Sequence, residues 1–190
     1  MNNKNEDSFR DSVKSAVVTA IDGLEDITDV TVNTVSGMLI VGVDRVRFAG
    51  QEARRHVDDA IHGTLDGVRE AGASISQATR GVMIGVVRST KHSGSDAMDT
   101  IRETSRALVQ RASEIGIDVG AAASDSIEAA VESARELGLD LEEAATVAAT
   151  GALEAAGELG KRAVDQVRKV TTDTIEGIQN VAKTASHKAD

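Results

Sequence analysis

The 190-residue sequence has no cysteine, proline, tryptophan or tyrosine, and Phe9 and Phe48 are its only phenylalanines. Each absence excludes something. Without cysteine there is no disulfide framework, no thiol nucleophile and no thiolate metal site. Without proline the commonest helix breaker is missing. Large aromatics normally dominate core burial, so an interior here is built from Val, Ile, Leu, Met and Ala. That suits thin helix–helix seams or a lipid-facing stripe better than a globular core. Long hydrophobic runs are missing too. The longest uncharged apolar stretches, 37–43 and 81–87, fall far short of the roughly 20 residues that span a bilayer. Residues 1–7 are polar and acidic, unlike a signal peptide. A cytoplasmic location, peripheral to a membrane, droplet or granule, is the expectation.

Basic charge is also scarce where it would matter. The net charge is −10, and residues 112–160 hold eleven acids against one base, Arg135. Duplex binding needs a basic face, so nucleic acid is excluded as a partner. Chemistry-bearing constellations are equally thin. His56, His62, His92 and His187 are dispersed, and Asp58 with His62 supplies two ligands at most, which is not a metal site. No phosphate-binding loop, zinc-protease motif or nucleophile elbow occurs. The sequence therefore predicts no catalytic residue, no metal, no cofactor and no small-molecule substrate.

What the chain does have is a repeat. Gly50, Gly72, Gly94, Gly116, Gly138 and Gly160 lie 22 residues apart. Residues 7–182 stack in eight rows of 22, aligning Ile21, Val43, Leu65, Val87, Val109, Val131, Leu153 and Ile175 in one aliphatic column. The next column holds six acids in eight rows, among them Asp66 and Glu154. An internal repeat means one structural unit copied. Within a row the apolar positions are spaced 3, 4, 4, 3, 4 and 4, as at Ala97, Ile101, Thr104, Leu108, Ala112 and Ile115. On a helix of about 3.67 residues per turn these form one straight stripe. Strand alternation is absent. The fold class is all-α, made of long amphipathic hendecad-repeat helices without a globular core.

The glycine ladder admits two readings. Small residues let a second backbone approach closely; alternatively, each glycine ends a helix, with the aspartates of Gly94-Ser-Asp96, Gly116-Ile-Asp118 and Gly138-Leu-Asp140 capping the next. The hendecad phase crosses the glycines without a jump. It predicts continuous helices on which Gly50, Gly72, Gly116, Gly138 and Gly160 are close-contact points. Residues 91–96, Lys-His-Ser-Gly-Ser-Asp, supply the one strong turn signal. The expected organisation is a polar tail 1–6, an arm 7–91, a turn 92–95, a second arm 96–182 and a tail 183–190. A helical hairpin or extended bundle results, each arm on the order of 130 Å if straight.

The arms differ. The first carries two bulky segments 44 residues apart, with Met38, Leu39, Ile40 and Val41 in one and Val82, Met83, Ile84 and Val86 in the other. The second replaces bulk with alanine. Bases line one edge of the stripe, including Lys14, Arg69, Arg80, Arg102, Arg135 and Arg168. Long basic stems there can cover apolar surface or reach lipid headgroups, or form ion pairs three and four residues apart.

With its 11- and 22-residue units and basic fringe, the stripe resembles the exchangeable apolipoproteins, the perilipins and the bacterial phasins. That resemblance implies a coat on an apolar or lipid surface. The sequence departs from apolipoproteins in lacking proline at its repeat boundaries. Two other functions compete: a self-assembling structural bundle, right-handed coiled coil or filament closed by the hendecad seam, and a conditionally folded stress protein. The expected partners are a lipid surface, further copies of the chain, or both.

Overall fold

The computed structural model describes residues 3–21, 26–45, 51–93 and 96–186. The chain is all-α, with no strand among the described residues. Its helices are α1 (Asn3–Ile21), α2 (Ile27–Arg45), α3 (Gln51–Glu70), α4 (Ile75–Ser93), α5 (Ala97–Glu114), α6 (Val119–Leu137), α7 (Leu141–Leu159) and α8 (Lys161–Ser186). They run 18 to 26 residues. The two long arms are therefore divided into one helix per 22-residue repeat. Both expected tails also shrink, since α1 starts at Asn3 and α8 runs to Ser186. Of the expected turn, His92 and Ser93 close α4, while Gly94 and Ser95 lie outside the described residues.

The division has a local cause at every described ladder glycine. Gly72, Gly116 and Gly138 have φ of 67°, 74° and 69°, the left-handed region that glycine enters without a Cβ penalty. Each closes its helix by paired backbone bonds. Gly138 and Leu139 donate to the carbonyls of Arg135 and Ala134, and Gly116 and Ile117 donate to those of Ser113 and Ala112. This is the Schellman closure. An aspartate then opens the next helix: the Asp118 carboxylate accepts from the Ala121 amide and Asp140 from the Glu143 amide, both at 2.8 Å. Asp26 and Asp96 do the same at α2 and α5. Gly72, Gly116, Gly138 and Gly160 are thus helix stops, not contact points on continuous helices; Gly50 lies outside the described residues. Phase continuity could not distinguish the two. A helix plus link of constant length returns to the same column whether or not the chain reverses.

The chain forms two compact units, Met1–Thr100 and Ile101–Asp190, the division falling in the first turn of α5. In the first unit α1 packs on α3 and α2 on α4. In the second, α7 and α8 pack on α6, and α5 meets both α6 and α7 where Ser105 Oγ lies 2.9 Å from Ser126 Oγ and donates to the Ala148 carbonyl. Within each unit the pairs α1 with α3, α2 with α4 and α5 with α7 run parallel, because successive turns of one meet successive turns of the other in the same order. Gly63 and Gly67 of α3 face Arg10–Lys14 and then Lys14–Val17 of α1. None of the described buried core side chains is aromatic. The interior is a set of Val, Ile, Leu and Ala seams, such as Val109, Ala112, Val119, Ala123, Ala155 and Val167 in the second unit.

Candidate interaction faces

Three sets of residues define the helix faces: glycine seats, an ion-pair ladder and the apolar stripe. The seats are not the ladder glycines. A Cβ on Gly81 would lie 2.6 Å from Thr31 Cβ and 2.7 Å from the Thr28 carbonyl oxygen, and one on Gly85 would meet Val32 O at 3.0 Å and Val35 Cβ at 3.1 Å. On α3, a Cβ on Gly63 would lie 2.5 Å from the Arg10 carbonyl oxygen and one on Gly67 3.0 Å from that of Lys14. Gly151 of α7 seats the carbonyl of Arg102 on α5. In each case one backbone rests on another where no side chain intervenes. The signal was present in the sequence as two glycine pairs four residues apart, Gly63 with Gly67 and Gly81 with Gly85, the spacing that allows close helix approach.

The ladder runs along the same parallel seams. Arg10 pairs with Asp66, and Lys14 with Glu70 at 2.5 Å. In the second unit Arg102 pairs with Glu154 at 3.0 Å and Arg106 with Glu158 at 2.6 Å. Gln110 adds a 2.5 Å bond to Glu158. The hydrogen bond to Glu70 raises the Lys14 ammonium above the usual lysine pKa. That to Glu158 raises the Arg106 guanidinium likewise. A base with a raised folded pKa favours the fold while charged, and its contribution fades as pH climbs through that value. The stripe-edge bases Lys14 and Arg102 thus reach across to a helix two further along the chain.

Of the stripe, Leu65, Val87, Val109 and Val131 are buried, and Ile21, Leu153 and Ile175 are half-buried. The surroundings of Val43 and Val41 lie outside the described residues. Of the bulky segments, Leu39, Val82, Met83, Ile84 and Val86 are buried, while Met38 and Ile40 are half-buried. Leu159, at 40%, is the exposed large hydrophobic side chain among the described residues. No helix there is long and apolar enough to cross a membrane.

Two faces remain open. On α1, opposite the α3 seam, a shallow groove is lined by Asp11, Ser12, Ser15, Ala16, Thr19 and Ala20. On α7, away from α5, Thr146, Thr150 and Gly157 are exposed beside half-buried Leu153. A Cβ on Gly37 of α2 or on Gly157 would meet nothing within 4 Å.

No protein-family model matches the chain, and no curated protein does. Among solved structures it is similar to a de novo designed helical repeat protein, DHR7, with a TM-score of 0.54 at 17% identity, covering 89% of this chain and 93% of that one. The likeness is one of fold. It agrees with the repeated hairpins in placing the chain among all-α helical-repeat architectures.

Proposed function

We propose that this chain is a non-enzymatic helical-repeat scaffold, a preformed set of packed hairpins that serves structural assembly. One observation carries the reading: among the described residues, most of the apolar stripe and of the bulky segments is buried against neighbouring helices. Val82, Met83, Val86 and Val87 are 0% exposed and Ile84 is 3%. A lipid coat would need the packing around α4 opened to present them. Re-exposing five such side chains to water costs on the order of 10 kcal/mol, which a lipid surface would have to return. The seated glycines and inter-helix ion pairs also belong to a fold that closes on itself.

Circular dichroism with and without vesicles tests this, alongside vesicle flotation. The scaffold predicts full helicity and a cooperative melt in plain buffer, unchanged by lipid, with no co-flotation. A chain poorly helical in buffer that gains helix and floats with vesicles would replace it with the coat reading.

A further inference from the structure

The repeat leaves its first and last hairpins with faces that inner hairpins have filled. Gly37 on α2 stands 44 residues before Gly81, two full repeats. Gly81 seats the α2 backbone at Thr28 and Thr31, whereas Gly37 seats nothing. The same holds in the other helix of the hairpin. Thr19 stands 44 residues before Gly63, which seats the Arg10 carbonyl, yet Thr19 lines the open groove on α1. Helical positions nine residues apart point about 180° away from each other. Thr19 therefore faces away from Arg10 and the α3 seam.

The last hairpin carries the complement. On α5, Arg102 and Arg106 flank the seat of Gly151; 44 residues on, the corresponding positions of α7 are Thr146 and Thr150, both exposed. Where the inner seam has long bases, the end face has short side chains. Their hydroxyls are already satisfied: Thr146 donates to the Glu142 carbonyl, Thr150 to that of Thr146, and Thr19 to that of Ser15, each at 2.8 Å. Docking a helix on these faces strands none of these three hydroxyls.

We propose that the chain assembles head to tail, the outer face of α1–α2 in one copy receiving α7 and its hairpin from a second copy. The contact continues the interface that joins α1 to α3 and α5 to α7, so the occupant is another hairpin of this repeat. The two faces differ, which makes the contact heterologous and open-ended. This inference rests on the scaffold reading. Carboxylates border both faces, Asp11 on one and Glu142 and Glu143 on the other, so association strengthens as salt screens them.

Sedimentation velocity of the full chain tests it, at up to about 100 µM protein in roughly 0.15–0.5 M NaCl, where a micromolar contact populates oligomers. Mass should rise with concentration beyond a dimer. Thr19→Arg blocks one face and Thr150→Arg the other, so each variant alone should remain at the 19.8 kDa monomer. Mixed in equal amounts they should form a dimer of twice that mass that grows no further. A Thr150→Arg protein that still dimerises would point to an α1–α1 contact and overturn the proposal, as would a mixture that stays monomeric. Melting curves check that both variants fold; Ser15→Arg and Thr146→Arg replace either one that does not. A folded wild-type monomer at every concentration removes this inference and leaves the scaffold standing, whereas a chain without helix in buffer removes the scaffold itself.

Discussion

At Gly81 an added methyl group would meet Thr31 Cβ at 2.6 Å and a carbonyl oxygen at 2.7 Å, while at Gly37 it would meet nothing within 4 Å. The two glycines share a repeat column and a helical backbone, so alanine separates packing from propensity. Gly81→Ala is expected to cost about 1–3 kcal/mol through overpacking of the α2–α4 seam. Gly37→Ala should be neutral or stabilising by up to about 1 kcal/mol, because alanine favours helix over glycine. Urea unfolding in dilute solution checks both; a Gly81→Ala protein as stable as wild type would mean that the seam is looser than the backbone distances imply. The ladder glycines act differently, through positive φ at Gly72, Gly116 and Gly138. Their spacing was legible in the sequence and their role was not. The deciding clue lay two residues on, where Asp118 and Asp140 wait to cap a new helix. Gly63 and Gly81 are not legible as seats from the ladder because they fall outside its column.

Between helices, the ion-pair ladder records which elements are neighbours. Asp66 and Glu154 stand 88 residues apart, four repeats, while their partners Arg10 and Arg102 stand 92 apart. The acids keep their column and the seam register differs by about one helical turn between the two units. That is why the bases at the stripe edge were visible in the sequence and their partners were not. A partner 52 or 56 residues away depends on link lengths and on the chain reversing, whereas a continuous helix offers only neighbours three and four residues off. Arg106 and Glu158 are 35% and 51% exposed, so their energy is modest. A double-mutant cycle with Arg106→Ala and Glu158→Ala should give a coupling of about 0.2–1 kcal/mol, shrinking as NaCl is added. Glu158→Ala should be the costlier single change, since it also strands the 2.5 Å bond from Gln110. A coupling of zero at low salt would remove the ladder as a contributor to register.

Across the whole chain, the repeat made the all-α class legible, and Ala-rich sequence in the second half matched a close-packed unit. The helix break at each described ladder glycine stayed hidden because a column pattern is the same for a straight and a folded array. Folding into two units has an energetic consequence. Val109 is fully buried among Ala112, Val119, Ala152, Ala155 and Val167, all of the second unit. Truncating it removes contacts there and none of those that hold Val13 and Val17 of α1 against Gly63 and Gly67 of α3. In helical repeats, stability is a sum of local terms and openings are sub-global. Val109→Ala should therefore cost about 2 kcal/mol in its own unit, accelerating amide exchange there about 30-fold. Hydrogen-exchange mass spectrometry should show the loss in α6 and α7 while α1 and α3 keep their wild-type protection. An equal loss in every described helix would mean that the chain unfolds as one cooperative body, with the two units energetically joined.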